Sequence, residues 1–436
     1  VATSGKLTSV PAPTHTHSAA VAPREAAVGI GGLLLLLAYA TVEFVRPQDF
    51  VEPLSVLRPA LVLTVLLSIY WVRTWGVKEI VGDKILVCVL LFLLLATLWI
   101  PFAANNFWAF QVTKSLWMYF LGATIPLGLY LTFGQRRRQF LGFWILIHLY
   151  LAVFVLANGG RGPTGFLQDE NDMAYALCMA IPYPFFLAQK RGMRTGARLA
   201  LIALTLVLLA GIVSTHSRGG FIGLACIVLY VIYLSRNRIR NLAICLVLGT
   251  VAFLFVPDSY VERVGSITDT EDTSRNERLT SWRIGWQMFL DYPILGVGPS
   301  NYAWRSGEYH IALPDFEPGD PVIAGRAAHS LYFALLPEYG LVGSGVFFAL
   351  LVTVMRRLNR CERVLMQPAQ AGDGDAETNF LVARALRASI IGYLTAGAFI
   401  SVLYYPQFWF TLGFVIALSR DVSARYGSQP NRVPTV

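Results

Sequence analysis

Apolar runs close to twenty residues long alternate with short polar connections along most of the chain. A helix needs about 20 mostly apolar residues to cross a bilayer. The pattern therefore predicts an all-α integral membrane protein with about twelve transmembrane helices. They fall at roughly 27–45, 57–75, 84–103, 114–133, 139–157, 172–189, 197–215, 219–235, 240–257, 329–355, 383–404 and 406–421. Residues 27–257 carry the first nine spans and 329–421 the last three, between polar tails at 1–26 and 422–436. No convincing cleavage site follows the first apolar run, so it reads as a retained span.

Two stretches interrupt this rhythm. Residues 258–328 form a long polar loop, locally acidic, with helical signals of its own. Ser274 and Glu277 have the spacing of a capping box. Trp282, Trp286, Phe289 and Leu290 then recur at helical spacing, and at about 100° per residue Arg275 and Arg278 fall on the same stripe. Asp291-Tyr292-Pro293 ends that helix, and Gly296-Val297-Gly298-Pro299 reads as a turn. The second stretch, 364–380 with Gly372-Asp373-Gly374-Asp375, reads as a flexible linker.

Composition supports the bilayer as solvent. Of 436 residues 55% are hydrophobic and only 14% charged, against about 25% charged in soluble domains. The net charge of +9 is not a nucleic-acid footprint, because the basic residues cluster in alternate connections. Those at Lys78/Lys84, Arg136-Arg137-Arg138, Lys190/Arg191, Arg236/Arg238 and Arg356/Arg357/Arg360 mark cytoplasmic loops. Both termini are then cytoplasmic and the 258–328 loop lies outside. Cys88, Cys178, Cys226 and Cys245 sit in apolar spans and Cys361 in a basic loop, a distribution that predicts no structural disulfide and no zinc site.

Chemistry gathers on the outer side. The turn Asn158-Gly159-Gly160-Arg161-Gly162-Pro163 allows close backbone approach, and Arg161 can grip a phosphate in a bidentate fork. Arg218 and His216 lie in the short connection between spans seven and eight; the alternative is a snorkelling arginine and an interfacial histidine. The loop helix offers Arg275, Arg278 and Arg283, which could equally form surface ion pairs. His329 opens span ten, where an imidazole can act as a general base. Glu338 follows Pro337 within that span and invites a partner on a neighbouring helix. Asp169, Glu170 and Asp172 either cap the sixth span or hold a cation, with capping favoured.

Together, Ser217-Arg218-Gly219-Gly220, the segment from Arg278 to Gly298, and His329-Ser330 followed by Glu338-Tyr339-Gly340-Leu341-Val342-Gly343 resemble the O-antigen ligase and polymerase superfamily. The run Gly165–Asp172 is similar to the O-glycosylation ligases that accompany exosortase systems. The resemblance implies a GT-C-like fold at the periplasmic face of the bacterial inner membrane and metal-independent, inverting glycosyl transfer without a cofactor. The donor would be an undecaprenyl-diphosphate-linked glycan and the acceptor a sugar hydroxyl of lipid A–core. Arg161, Arg218 and Arg278 would bind the diphosphate and His329 would activate the acceptor, with Arg275, Arg283, His216 and Glu338 in support. A polymerase or protein O-glycosyltransferase of the same superfamily, or a transporter of the lipid-linked glycan, would present similar spans. The sequence does not fix the oligomeric state.

Overall fold

The computed structural model describes residues 30–235, 237–243, 273–317 and 322–427. All regular structure among the described residues is helical. The helices are α1 (Ile30–Phe44), α2 (Pro59–Thr74), α3 (Lys84–Trp99), α4 (Asn106–Tyr119), α5 (Ile125–Tyr130) and α6 (Gly134–Ala157). Next come α7 (Glu170–Ala180), α8 (Pro182–Leu187), α9 (Thr195–Ser214) and α10 (Arg218–Leu234). The loop holds α11 (Thr273–Asp291) and α12 (Tyr302–Ile311), and α13 (Leu331–Gln370), α14 (Gly374–Ala396) and α15 (Pro406–Tyr426) close the chain.

Among the described residues, five helical stretches are both long and apolar enough to cross a membrane: Lys84–Phe102, Gly134–Ala157, Thr195–Ser214, Leu331–Gln370 and Gly374–Phe399. Three shorter apolar helices, α1, α2 and α10, accompany them. The chain is thus a helical membrane protein. The predicted ninth span, the start of the outer loop and both polar tails fall largely or wholly outside the described residues.

Prolines explain two departures from simple spans. The predicted fourth span is α4 joined to α5 through a π-helical turn at Phe120–Thr124. Pro126 has no N–H to donate there, and a widened turn accommodates the loss. The predicted sixth span divides into α7 and α8 at Ile181-Pro182.

The core is built around α15, buried continuously from Pro406 to Ser419. A helix apolar on all faces belongs in the interior. Phe410 stacks on Trp144 at 5.4 Å and Phe408 on Tyr393 at 4.4 Å, tying α15 to α6 and α14. By contrast only 17% of the apolar stretch of α9 is buried, against 67% for the α14 span, so α9 lies at the periphery of the bundle.

Three expectations are corrected. The 364–380 stretch is not a linker: α13 runs on to Gln370, and Asp373 caps α14 by accepting from the Asp375 and Ala376 amides at 2.9 and 3.0 Å. Glycine and aspartate serve a tight helix-to-helix turn as well as a flexible one. Cys361 is buried within α13 rather than exposed in a loop. The arginine clusters at 136–138 and 356–363 likewise lie in the ends of helices, which outrun the apolar stretches that announced them. Arg137 is buried, with Nη2 2.6 Å from Asp421 Oδ2 and 2.8 Å from Asn379 Oδ1, while Nη1 donates to the Leu131 carbonyl at 3.0 Å.

Candidate functional site

At one end of the bundle three helices begin close together. Asp169 caps α7, accepting from the Asn171 amide at 2.8 Å. This matches the favoured capping reading of the acidic cluster. Ser217 caps α10, accepting from the Gly220 amide at 3.1 Å. The Ser217 hydroxyl also donates to Asn171 Oδ1 at 2.8 Å, which joins the two helix starts directly. Gly220 allows that approach, because a Cβ there would press into Ala174. Ser330 caps α13 through the Tyr332 amide at 3.3 Å. Helix starts carry unpaired N–H groups and the positive end of the helix dipole, so this end of the bundle favours anions.

The candidate side chains hang on these starts. The turn after α6 places Gly159 and Gly160 at φ +63° and +94°, and a Cβ on Gly160 would lie 2.6 Å from the Ser214 carbonyl. Arg161 follows, exposed, with Nε 3.7 Å from Glu170 Oε1. Arg218 is the first residue of α10 and half-buried. His216 is exposed in the connection before it, in a left-handed conformation at φ +52°. His329 immediately precedes the α13 cap and is also left-handed, at φ +48°. Such a backbone costs a non-glycine residue about 1–3 kcal/mol and occurs most often at functional positions.

Helix α11 lies across the start of α13. Trp282 stacks on Phe333 at 5.4 Å with an interplanar angle of 9°, and reaches Phe399 at 6.2 Å. Phe399 in turn packs on Gly219 of α10. This sandwich brings Arg278 near His329. Although His329 is exposed, the surrounding protein removes enough water to hold its imidazole below the ordinary histidine range, and the Arg278 charge lowers it further. Asp169 and Glu277 oppose that effect and Arg326 adds to it. His329, Arg278 and the α7 cap therefore share one electrostatic neighbourhood, and the Asn171–Ser217 bond links it to Arg218.

The remaining candidates are placed differently. Arg283 forms a bidentate pair with Asp315 at 2.7 and 2.8 Å. Glu277 pairs with Arg326 at 2.7 Å, and Asp291 accepts from the Tyr309 hydroxyl at 2.7 Å. Arg275 lies in the first turn of α11, with its side chain outside the described residues. Thr273 is already helical, so Ser274 lies inside α11 rather than ahead of it.

Glu338 is buried and accepts from the Tyr302 amide at 3.2 Å and from the Tyr404 hydroxyl. It sits beside a break in α13 at Gly340, φ +58° and ψ −162°. In an unbroken helix the Leu341 and Val342 amides would donate to the Pro337 and Glu338 carbonyls. Instead those carbonyls accept from Val297 and Gly298 at 2.8 and 3.0 Å. The Leu341 and Val342 amides donate to Pro293 and Ile294 at 2.8 and 3.1 Å. The 293–298 segment, expected only as a helix stop and a turn, thus fills the break and satisfies these four groups.

Sequence reading also missed Arg46. Its Nε lies 2.6 Å from Asp49 Oδ2 and 3.2 Å from Thr164 Oγ1, with Gly165 packed on the guanidinium. The available signal was an arginine just after span one, at the end of the span where charge bias disfavours it. Asn171, which joins two helix starts, gave no signal separable from its acidic neighbours.

A family model described as O-Antigen ligase matches residues 203–348. The match contains Arg218, Arg278, His329 and both segments of the 293–298/337–342 exchange, and leaves out Arg161. No curated protein matches the chain. Over this central third the chain carries the sequence pattern of the O-antigen ligase family.

Proposed function

We propose that the protein transfers a glycan from an undecaprenyl-diphosphate carrier to a sugar hydroxyl of lipid A–core, at the periplasmic face of the bacterial inner membrane. The observation that carries this reading is the grouping of His329 and Arg278 with the α7, α10 and α13 starts. The leaving group is a lipid diphosphate, and charge develops on it as the glycosidic bond breaks. Arg161, Arg218 and Arg278 are the residues assigned to receive it. Each charge-assisted hydrogen bond contributes about 1.5–3 kcal/mol, and those that strengthen in the transition state accelerate the reaction. His329 takes the acceptor proton while the acceptor attacks the anomeric carbon from the face opposite the diphosphate, giving inversion. Its depressed basicity keeps the imidazole neutral and able to accept at neutral pH.

The test is transfer from purified lipid-linked glycan to purified lipid A–core, run with a chelator present. Product with the parent protein, and its loss in Arg218→Ala and His329→Ala, is the expected result. Full transfer by either variant would refute the role given to that residue. Elongated lipid-linked glycan in place of a lipid A–core product would identify a polymerase, and glycan on a protein acceptor a protein O-glycosyltransferase.

A further inference from the structure

A second polar site lies at the far end of the bundle. Arg357 lies 17 residues beyond the break at Gly340, about 25 Å of helix at 1.5 Å per residue. Around Arg357 the helices enclose an open cavity of about 1380 Å³. Arg357, Arg360 and Arg363 of α13 and Arg420 of α15 line it, facing Glu79 and Asp83.

The two carboxylates are already engaged. Arg357 Nη1 is 2.8 Å from Asp83, and Arg420 Nη1 is 3.2 Å from Glu79. Arg360 and Arg363 are exposed, and among the described residues neither forms an ion pair with a carboxylate. The cavity therefore holds two more cations than anions. The rest of its wall combines the apolar Trp75, Phe133 and Val422 with the hydroxyl-bearing Thr132, Ser419 and Ser423. A concave site with surplus positive charge next to apolar surface matches an amphiphilic anion. We propose that this cavity binds an anionic glycerophospholipid, its phosphodiester at Arg360 and Arg363 and its acyl-glycerol part along Trp75, Phe133 and Val422. Basic pockets between transmembrane helices at the cytoplasmic side suit such headgroups. A free phosphate shares the charge but makes no use of the apolar wall. The inference is independent of the transfer chemistry at the other end.

Native mass spectrometry of the full-length protein in detergent, titrated with phosphatidylglycerol, phosphatidylcholine or glycerol 3-phosphate, tests it. Phosphatidylglycerol should be retained and the other two should not. The double variant Arg360→Gln/Arg363→Gln should bind phosphatidylglycerol roughly 30-fold more weakly, the weight of two cations at an acidic surface. Each single substitution should give a partial loss, so the comparison survives poor folding of the double variant. Lys190→Gln/Arg194→Gln, which removes two cations elsewhere, should bind like the parent. Equal retention of phosphatidylcholine, parental binding by the Arg360 and Arg363 variants, or equal loss in the control would overturn the proposal. Glycerol 3-phosphate binding as tightly as the lipid would overturn it in favour of a free-anion site.

Discussion

At the scale of single residues, the role proposed for His329 predicts a pH response. Its imidazole is held below the ordinary value of about 6.5 by loss of water and then by Arg278. The neutral, proton-accepting form therefore persists into mildly acidic solution. The acid limb of the pH–rate profile should fall below about pH 6.5. Arg278→Gln should lower the rate and move that limb upward, since removing a nearby cation makes the imidazolium easier to form. A limb that stays in place would separate His329 from Arg278 functionally. His329→Ala should cost about 10²–10⁴-fold in turnover, the usual weight of a general base. Far from this site, Asp421→Ala leaves the buried Arg137 guanidinium without its carboxylate. Breaking such a pair costs about 3–5 kcal/mol, which a lowered midpoint of thermal unfolding in detergent would report. The arginines and the histidine were legible because polar residues among apolar runs stand out. The contacts around them were not, since Asn171 lies far in sequence from Ser217 and Arg326 far from Glu277.

At the scale of elements, the break in α13 has two glycine requirements. Gly340 and Gly296 both have positive φ, and a Cβ on either would run into the backbone of the other segment. Gly340→Ala should destabilise the fold by more than the roughly 1–3 kcal/mol of a strained backbone alone. Gly345→Ala, five residues on in the same helix with open space around it, should be neutral or slightly stabilising. Equal effects of the two substitutions on thermal unfolding would count against the backbone exchange. Apolar periodicity located most helices but misjudged their ends, because α13, α14 and α6 extend as helix beyond their apolar stretches. The exchange itself was invisible to periodicity. It pairs two segments some forty residues apart by backbone groups that every residue carries.

At the scale of the whole molecule, the long α13 connects two polar ends of opposite task, and the proposed orientation makes a direct prediction. A cysteine at Pro314, on the α11–α12 loop domain, should react with a membrane-impermeant thiol reagent in intact spheroplasts. One at Ala371, in the α13–α14 turn, should react only after permeabilisation. The reverse pattern would move His329 to the cytosolic side and remove the proposed chemistry. The helical membrane class and the positions of most apolar helices could be read from hydrophobicity; the spatial convergence of α7, α10, α11 and α13 could not, because it depends on long-range packing such as Trp282 on Phe333 and Phe399. The exchange of backbone partners at Gly340 also governs how the outer loop can move. With residues 293–298 stitched into a membrane helix, the loop cannot lift away as a free flap. On the proposed function, admission of the carrier lipid would pivot about that seam, with α11 and α12 swinging while the stitch stays fixed and the gap widening toward the side farther from it.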